Sequence, residues 1–532
     1  VNGYLYALII QAISEIYSSE KECLCEKIRI LCYSSVKTDF KIRFPQGAGQ
    51  FAFCERTPFP CRKDKVKHMS VENTHLGAVE AAKRLEKCKS VFFIGAGGIN
   101  MSSLAIITKR RGYRVGGSDR TKTALTERLE GCGIEMHYTH DEKNLDGYDA
   151  VVYTVAISPE NPEYLRAKRD GLLLLSRADY LGYIMTGYKR RIGVCGMHGK
   201  STCTSMCAQV FMDASADPTV LSGAEMESMG GAFRIGGSEN FIFEACEYMD
   251  SFLDFNPTIA VILNIEMDHV DYFHSMDQIR ASFAKFASIT MKGKDGYAVA
   301  NADDYDVLRA LGGYEGHLIT FGVRSEADFT AENIKYPHGE ADFDIYKKGD
   351  FFCHVSLGVH GEYNALAAAA VADLCGISSA DIEKGLASFR GAKRRMEFKG
   401  TLNGADVYDD YGHHPTEVRT TLEGVSRMGY DRLWCVFQSH TYSRTAELFD
   451  DFVRAFDAAD RVIFADIYSA RETDTLGVSG ERLADAVGDK ASYLGGLDNI
   501  AAHLKENLGK GDVLVVMGAG DIYKLFDKLD LK

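Results

Sequence analysis

Short apolar runs alternate with longer stretches of helical character from Lys89 to the end of the chain. The runs SVFFI, VVYTVAIS and TIAVIL are typical of buried strands, and each is followed by enough residues for a helix. Strands that alternate with helices favour α/β layers built on parallel sheets. The pattern therefore predicts an α/β fold with mostly parallel sheets, with strands over Val151–Ser158 and Ile259–Leu263 among others.

The chain is too long for a single hydrophobic core. A length of 532 residues indicates three or four domains. We place three working regions at residues 69–187, 188–388 and 389–532, after an initial segment over residues 1–68. In parallel sheets the ligands bind at the carboxyl ends of the strands, so the residues that follow each apolar run are the candidates for function.

Residues 1–68 differ in composition from the rest of the chain. They carry 11 Lys and Arg against 7 Asp and Glu, whereas the whole chain has a net charge of −14. After Leu31 they show no clear helical or strand period. One interpretation is a small accessory segment. We prefer an upstream extension of doubtful function, with a mis-called start and a functional chain that opens at Met69. Native peptides upstream of Met69, detected by mass spectrometry, would contradict this preference.

A glycine-rich turn follows the first strand, in SVFFIGAGGINM. Gly95, Gly97 and Gly98 let the backbone approach a diphosphate, whose charge is favoured by the N-terminus of the following helix. Asp119 comes 22 residues after Gly97, at the end of the next strand. This arrangement resembles a dinucleotide fingerprint in which Asn100 replaces the third glycine. Taken alone, a tight turn without any ligand explains the same residues equally well.

The stretch GVCGMHGKSTCTSM, at the start of the second region, indicates a phosphate-binding loop between a strand and a helix. Only two residues separate Gly196 from Gly199, whereas the common phosphate loop has four. The lysine amine can reach phosphate oxygens, and a hydroxyl just after it can bind Mg²⁺. The candidate nucleotide-binding residues of this loop are Gly196, Met197, His198, Gly199, Lys200, Ser201 and Thr202.

Polar side chains, most of them acidic, follow two later strands of the second region. Those after NFIF and TIAVIL are Glu244, Glu247, Asn264, Glu266, Asp268, His269 and Asp271. Buried carboxylates are costly without a cation or partner. A solvated acidic loop is the common alternative, but three polar clusters after three strands favour a magnesium–nucleotide site.

The third region repeats this arrangement of strands that end in polar clusters. The polar residues that follow its strands include Asp409, Asp410, Tyr411, His413, His414, Gln438, His440, Tyr442, Arg444, Asp466, Tyr468 and Asp521. Any one cluster can serve turn chemistry. Together, two or more histidines, an arginine and several aspartates at one sheet edge suit an anionic, amino-acid-like substrate.

Composition and charge narrow the classes of partner. The chain is 46% apolar and 26% charged, as expected of a globular protein. A net charge of −14 disfavours nucleic acid, so an anionic ligand must be held by local charge and backbone donors. No apolar stretch is long enough to span a bilayer. The 14 cysteines form no CxxC metal motif, which indicates a reducing cytosol.

In this order, the motifs resemble those of the Mur ligase family over roughly Met69–Lys532. The matching motifs are IGAGGINMSSLA, GYRVGGSD, GMHGKSTCTSM, FEACEYMDSFL, LNIEMDHVDYF, KRRMEF, YDDYGHHPTE, FQSHTYSRT, DIYSARE and MGAGDIY. The resemblance implies a Rossmann-like N-terminal domain for a UDP-sugar acid, a central P-loop-type ATPase domain with a mostly parallel sheet, and a C-terminal Rossmann-like α/β domain for an amino acid. The short phosphate loop is the form that this family uses.

The resemblance also implies an activity. It is ATP-dependent formation of an amide between L-alanine and the lactoyl carboxylate of UDP-N-acetylmuramate, through an acyl-phosphate, in peptidoglycan precursor synthesis. ATP and Mg²⁺ are the implied cofactors, and a cytoplasmic monomer or homodimer is expected. A related ligase that attaches a peptide to the same sugar acid is the alternative.

Site residues follow from the resemblance position by position. Lys200 and Ser201 would bind the ATP phosphates and Mg²⁺, Glu244 and His269 match metal ligands, and Asn364 would contact adenine. The remaining matches are Arg395 and Asp410, closing over the nucleotide; His413 and Arg444, around the reacting carboxylate and the amino acid; and Gly95, Gly97, Gly98 and Asp119, at the UDP end.

Three residues are the catalytic candidates: Lys200, His413 and Arg444, with His413 as the base that takes a proton from the amine. His440 is expected at the substrate. Cys246 and Tyr363 depart from the family pattern, since Asp and His are common at those positions. A folate-type glutamate ligase, a dinucleotide oxidoreductase and a non-enzymatic nucleotide-binding protein are the rival interpretations.

Overall fold

The computed structural model describes residue 71 and residues 73–269, 272–292, 296–337, 340–357, 361–470, 472–474 and 476–532. All of these lie in one compact unit, His68–Lys532. The predicted extension over residues 1–68 falls outside the described residues. Three sheets order the described chain, and each belongs to one of the three predicted regions.

The first sheet has five parallel strands in the order β3-β2-β1-β4-β5. Its strands are β1 Ser90–Ile94, β2 Arg114–Ser118, β3 Glu135–His137, β4 Ala150–Tyr153 and β5 Leu173–Ser176. The helices around it are α1 Ala78–Leu85, α2 Ile99–Arg110, α3 Ala124–Gly131, α4 Pro162–Asp170 and α5 Arg177–Met185. Every residue of β1 is buried, as expected for a central strand covered on both faces.

The second sheet has ten strands in the order β15-β14-β13-β12-β11-β10-β6-β9-β7-β8. Its strands are β6 Arg190–Cys195, β7 Thr219–Met226, β8 Gly231–Arg234, β9 Asn240–Glu244, β10 Ile259–Ile262, β11 Tyr297–Asn301, β12 His317–Gly322, β13 Phe329–Lys335, β14 Ala341–Lys347 and β15 Asp350–Leu357. Pairing is parallel from β13 through β7 and antiparallel at both ends. Its helices are α6 Lys200–Asp213, α7 Met276–Ile289, α8 Tyr305–Ala310, α9 Glu362–Leu374 and α10 Ser379–Ser388.

The third sheet has six strands in the order β16-β17-β21-β18-β19-β20, antiparallel only between β16 and β17. Its strands are β16 Glu397–Leu402, β17 Ala405–Asp410, β18 Arg432–Phe437, β19 Arg461–Ala465, β20 Ala491–Gly495 and β21 Asp512–Met517. Its helices are α11 Pro415–Ser426, α12 Tyr442–Glu447, α13 Phe449–Ala455, α14 Gly480–Val487 and α15 Leu497–Asn507.

Close helix packing supports the central sheet. The alanine-rich part of α9, Ala365–Ala372, is buried along its whole length. Gly385 of α10 approaches α6 so closely that a Cβ atom there would lie 2.6 Å from the Cα atom of Val210. Small side chains therefore hold three helices tightly against the sheet that positions the glycine–lysine loop.

The α/β fold with mostly parallel sheets is confirmed. The strand predicted over Val151–Ser158 is shorter than expected, because β4 ends at Tyr153. Ile157 donates its N–H to the Thr154 carbonyl, and Ala156 donates to the Thr154 hydroxyl, so these residues form a turn. The strand predicted over Ile259–Leu263 ends one residue early.

Candidate active site

The glycine–lysine loop connects β6 to α6 at the carboxyl edge of the central sheet. Gly196 and Gly199 adopt φ angles of 143° and 80°, which favour glycine. At Gly199 a Cβ atom would also lie 2.8 Å from Oδ1 of Asn364, a residue in the first turn of α9. Helix α6 begins directly at Lys200 without a side-chain cap, so its first N–H groups are available to an anion.

Asn264, which follows β10, fixes the conformation of this loop. Its backbone carbonyl accepts from the N–H of Met197 at 3.3 Å. Its side chain accepts from the N–H of His198 at 2.8 Å and donates to the His198 carbonyl at 3.0 Å. The N–H groups of Met197 and His198 are therefore already hydrogen-bonded to Asn264. The uncapped N-terminus of α6 remains available to bind phosphate.

Lys200 forms an ion pair with Glu247, whose side chain is fully buried. The Lys200 amine lies 3.1 Å from Oε2 of Glu247 and donates to the Gly196 carbonyl at 2.6 Å. The other oxygen of Glu247 lies 3.1 Å from Nε2 of His269. Burial lowers the pKa of Lys200, but Glu247 and the other acidic groups around it, Glu244 among them, together outweigh burial and raise the pKa overall. Burial raises the pKa of Glu247, and Lys200 and His269 together bring it below its usual value.

Ser201 and Glu244 form a second pair beside the first. The Ser201 hydroxyl donates to Oε2 of Glu244 at 2.8 Å, and the N–H of Gly223 donates to the same oxygen at 2.9 Å. A Cβ atom at Gly223 would lie 2.5 Å from this carboxylate, so glycine permits its approach. Burial and the Glu247 charge raise the pKa of the neighbouring Cys246 to about 11, which keeps the thiol neutral.

An interdomain ion pair joins the central and C-terminal domains next to these contacts. Nε and Nη2 of Arg444 both donate to Oδ1 of Asp268 at 3.0 Å. Arg444 also donates to Nδ1 of His440 at 3.2 Å, which assigns the proton of that imidazole to Nε2. Asp268 directly precedes His269, which adopts a strained φ of 51°.

His413 lies two residues before the first residue of α11, and the centre of its ring is 5.9 Å from that of His440. Its Nδ1 atom lies 3.2 Å from the carbonyl of Tyr411, which favours the tautomer with a proton on Nδ1 and a free lone pair on Nε2. Burial and the positive charge of Arg444 lower the pKa of His413 to about 3, against the opposing effect of Glu417. The imidazole is therefore neutral at physiological pH.

His198 of the glycine–lysine loop lies between two carboxylates of different domains. Its Nε2 atom is 3.4 Å from Glu266, and its Nδ1 atom is 3.4 Å from Glu417 of α11. Burial lowers the pKa of His198, and the two carboxylates outweigh it and raise the value to about 9. His198, Glu266 and His414 lie close enough together to bind a metal ion, but a protonated His198 instead makes this group an ion-pair network.

A cavity of about 380 Å³ opens between the central and C-terminal domains beside the loop. Asn364, Arg395 and Asp410 all line it, as do His198 and Thr202. The arrangement suits a nucleotide whose base lies near Asn364 and whose phosphates lie at the start of α6.

Side chains around that cavity are held by further contacts. The Arg395 guanidinium lies 5.2 Å from the centre of the Tyr411 ring and 3.8 Å from Glu417. Asp410 accepts from the N–H groups of Gly412 and Met396, at 2.7 and 2.9 Å, and burial raises its pKa. These contacts fix the segment that leads from the central domain into the C-terminal domain.

The glycine turn of the first domain opens into a separate cavity of about 610 Å³, lined by Gly95, Gly98 and Asp119 among others. Asp119 accepts from the N–H of Gly97 at 2.9 Å. A Cβ atom at Gly97 would lie 2.7 Å from this carboxylate, so glycine is required there for the aspartate to approach. Asp119 thus holds the turn in shape.

The predicted site residues fall into two groups in space. Lys200, Ser201, Glu244 and His269 converge at the carboxyl edge of the central sheet, and Arg444 reaches this group through Asp268. Of the residues at the predicted UDP end, Gly95, Gly98 and Asp119 line the other cavity, whereas Gly97 does not line it and donates its N–H to Asp119. Glu247, Asn264 and Asp268 were predicted only as members of the polar clusters after two strands, without individual roles, and Glu417 was not predicted. For Glu417 a signal existed, because HHPTE is typical of a capped helix start, and Glu417 does accept from the N–H groups of His413 and His414.

The oxygen donors present suit a hard divalent cation. The Ser201 hydroxyl and Glu244 carboxylate lie side by side, and Mg²⁺ prefers oxygen ligands. His269 offers a nitrogen atom that is already in contact with Glu247, so it fits such an ion less well than the oxygen pair does. In the described part of the chain, no helix combines the length and apolar character needed to cross a membrane.

Comparison with known domain families gives three matches in chain order. Residues 90–189 match the catalytic domain of the Mur ligase family, and residues 194–372 match the Mur ligase middle domain. Residues 394–520 match the glutamate ligase domain of Mur ligases.

Similar proteins carry the same name across several bacteria. The UDP-N-acetylmuramate–L-alanine ligase of Caldanaerobacter subterraneus is 44% identical over 84% of this chain and 98% of its own length. That of Clostridium acetobutylicum is 43% identical over 82% and 96%. The crystal structure of the UDP-N-acetylmuramate–alanine ligase from Thermotoga maritima matches with a TM-score of 0.68 and 26% identity, over 82% of this chain and 97% of that one. A murein peptide ligase from Psychrobacter arcticus shares the fold, with a TM-score of 0.61 and 23% identity over 83% and 98%.

Proposed function

The chain belongs to the Mur ligase family, and we propose on this basis that it is an ATP-dependent ligase that joins L-alanine to the lactoyl carboxylate of UDP-N-acetylmuramate. The reaction forms an amide and releases ADP and phosphate, as a step of peptidoglycan precursor synthesis. We assign it to the cytoplasm, where ATP and UDP-sugars are available, and to a monomer or homodimer.

One observation in particular supports the proposal: a continuous chain of contacts runs from the glycine–lysine loop to the C-terminal domain. Lys200 contacts Glu247, Glu247 contacts His269, and the adjacent Asp268 contacts Arg444. Groups that handle a triphosphate are thereby linked to groups that can hold a carboxylate and an amine. Domain closure brings reactants together, which is a large part of catalysis for reactions of this kind.

In the first half-reaction, an oxygen of the lactoyl carboxylate attacks the γ-phosphorus of ATP, the bond to the β-phosphate oxygen breaks, and ADP leaves. Lys200 and the N–H groups at the start of α6 stabilise the charge on the transferring phosphoryl group. Mg²⁺ held by Ser201 and Glu244, with His269 as a further candidate ligand, would neutralise phosphate charge when bound.

In the second half-reaction, the amine of L-alanine attacks the acyl carbon, and the tetrahedral intermediate expels phosphate. We assign to His413 the proton that the amine loses, and the contact of its Nδ1 atom with the Tyr411 carbonyl supports this assignment, because it leaves the Nε2 lone pair to accept. A bound anion beside the imidazole raises its pKa from the low value set by burial, since the opposite charge favours the protonated form. Arg444 and His440 orient the amino-acid carboxylate.

Amino-acid-dependent phosphate release tests this function. The protein is incubated with ATP, Mg²⁺ and UDP-N-acetylmuramate, and release is compared for L-alanine, L-serine, glycine and the tripeptide of the rival ligase. We expect release that requires both the UDP-sugar acid and L-alanine. Turnover with the tripeptide and none with L-alanine would favour the rival, and release that ignores both substrates would contradict a ligase.

A further inference from the structure

Arg177 occupies an unusual position at the junction of the first two domains. It is the first residue of α5, and Ser176 caps the helix. Helix α5 packs against the central domain so closely that a Cβ atom at Gly182 would lie 2.3 Å from the carbonyl oxygen of Asp254. The rest of α5 is mostly buried in this junction, so the position of Arg177 is set by rigid packing on both sides.

The guanidinium of Arg177 lacks a partner at short range in the part of the chain that the structure describes. Within the described residues it makes no hydrogen bond and no ion pair, although it is only partly exposed. Burial lowers its pKa, while the Glu244 carboxylate acts in the opposite direction. A poorly solvated guanidinium remains charged and is costly without an anion.

The cavity that receives Arg177 also receives the start of another helix. Its walls include Arg177, Gly98, Ile99, Asn100 and Met101, within a volume of about 610 Å³. Helix α2 starts at Ile99, and no side chain caps its first turn. Unsatisfied N–H groups at a helix N-terminus favour an anion, and the cation on α5 is a second, independent feature that favours the same ligand.

We propose that Arg177 binds the diphosphate of the UDP-sugar substrate, in the cavity that the N-terminus of α2 also lines, an assignment that rests on the proposed function. The substrate has two anionic groups, the diphosphate and the lactoyl carboxylate. The carboxylate must reach Lys200 and His413 to react, whereas Arg177 shares its cavity with the glycine turn. The diphosphate is therefore the group that Arg177 binds.

Other ionisable groups of this cavity are already engaged or exposed. Asp119 accepts from the N–H groups of Gly97 and Thr121. His140 contacts the fully buried carboxylate of Glu163 through Nδ1 at 2.8 Å. Arg120 is exposed at the rim. Among the described residues that line this cavity, Arg177 is thus the partly buried cation without a protein partner.

The test compares Arg177→Met and Arg177→Lys with the unchanged protein, using full-length chain and calorimetric titration. The ligands are UDP-N-acetylmuramate and UDP-N-acetylglucosamine, which share the diphosphate but differ in the lactoyl carboxylate. We expect Arg177→Met to weaken both by about 10- to 100-fold, the loss expected for charge-assisted hydrogen bonds. Lysine should restore part of the affinity, and KM for ATP should change by less than about threefold.

A thermal measurement separates substrate binding from a structural role. Because Arg177 has no protein partner, Arg177→Met should leave Tm unchanged or raise it, while the rise in Tm caused by UDP-N-acetylmuramate should largely disappear. A lower Tm without substrate would instead assign Arg177 to the fold. Arg120→Gln removes the same charge at the rim and should weaken binding by less than about threefold.

The remaining outcomes are also decisive. If Arg177→Met weakened the binding of UDP-N-acetylmuramate but not that of UDP-N-acetylglucosamine, Arg177 would bind the lactoyl carboxylate, which would overturn the proposal. Equal losses of affinity for Arg120→Gln and Arg177→Met would overturn it too. If the unchanged protein binds UDP-N-acetylmuramate and both Arg177 variants bind it equally well, the assignment is wrong while the proposed function stands. If the unchanged protein binds no UDP-sugar, the proposed function fails first.

Discussion

Lys200 and Glu247 form a buried ion pair whose loss should have two separable consequences. Lys200→Ala should lower turnover by about 100-fold or more, because it removes a charge that stabilises the transferring phosphoryl group. It should also destabilise the protein by about 3 kcal/mol, because Glu247 keeps a buried charge with one partner fewer. Steady-state kinetics and thermal unfolding measure the two effects.

A double variant separates these consequences. Lys200→Ala combined with Glu247→Gln removes the uncompensated charge, so Tm should recover while turnover stays low. Full activity of Lys200→Ala would refute its catalytic role. A Tm that stays low in the double variant would show that the ion pair does not account for the loss of stability.

His198 should make stability depend on pH in the neutral-to-alkaline range. Its pKa rises from 6.5 to about 9 on folding, because Glu266 and Glu417 favour the protonated ring. The folded state therefore holds this proton more tightly, and the stabilisation is complete below pH 6.5 and is lost as the pH rises through about 9. A shift of this size corresponds to about 3 kcal/mol at most.

The measurement compares unfolding of the unchanged protein with that of His198→Gln between pH 6 and pH 10. The difference in Tm between them should shrink steadily as the pH rises. His354→Gln is the matched control, because His354 likewise lies between two carboxylates, those of Asp342 and Asp344, but is half exposed, and solvent screens its pairs. A difference for His198→Gln that does not change with pH would mean that the ring is neutral throughout.

At the scale of elements, the contact between α6 and α10 supports the glycine–lysine loop from behind. Gly385→Ala places a Cβ atom 2.6 Å from the backbone of Val210, and backbone cannot move aside cheaply. Overpacking of this kind costs about 1–3 kcal/mol, which outweighs the gain of about 1 kcal/mol in helix propensity. Tm should fall, and KM for ATP should rise as the start of α6 shifts.

Gly424→Ala is the control at this scale. Gly424 lies inside α11 and has no heavy atom within 4 Å of an added Cβ. The substitution should therefore raise the free energy of unfolding by about 0.5–1 kcal/mol. Equal effects of the two substitutions on Tm would contradict the close packing of α10 on α6.

Elements were predictable from the sequence where local patterns decide them. Continuous apolar runs located the strands to within a residue or two, since a strand buried on both faces needs an apolar side chain at each position. The run at Val151–Ser158 failed because Thr154 ends the strand with a turn that hydrophobicity does not reveal. The order of the motifs also predicted the position of the functional side chains. Each motif directly follows a strand, and in a parallel sheet the residues that follow the strands lie at the same edge.

At the scale of the whole molecule, one network of charges joins the central and C-terminal domains. The sequence located Lys200, Ser201 and Glu244, because each follows a strand in a recognisable motif. It did not reveal that Glu247 joins Lys200 to His269, or that Asp268 joins the central domain to Arg444. Those partnerships join residues from 22 to 176 positions apart, and only the folded chain brings them together.

We propose that the residues of this network phosphorylate the lactoyl carboxylate with ATP and that the acyl group is then transferred to L-alanine. UDP-N-acetylmuramate labelled with ¹⁸O in both carboxylate oxygens tests it most directly, with the products analysed by mass spectrometry. We expect one ¹⁸O atom in each released phosphate and the other in the carbonyl of a UDP-N-acetylmuramoyl-alanine product. Unlabelled phosphate, or labelled phosphate without an alanine adduct, would contradict it.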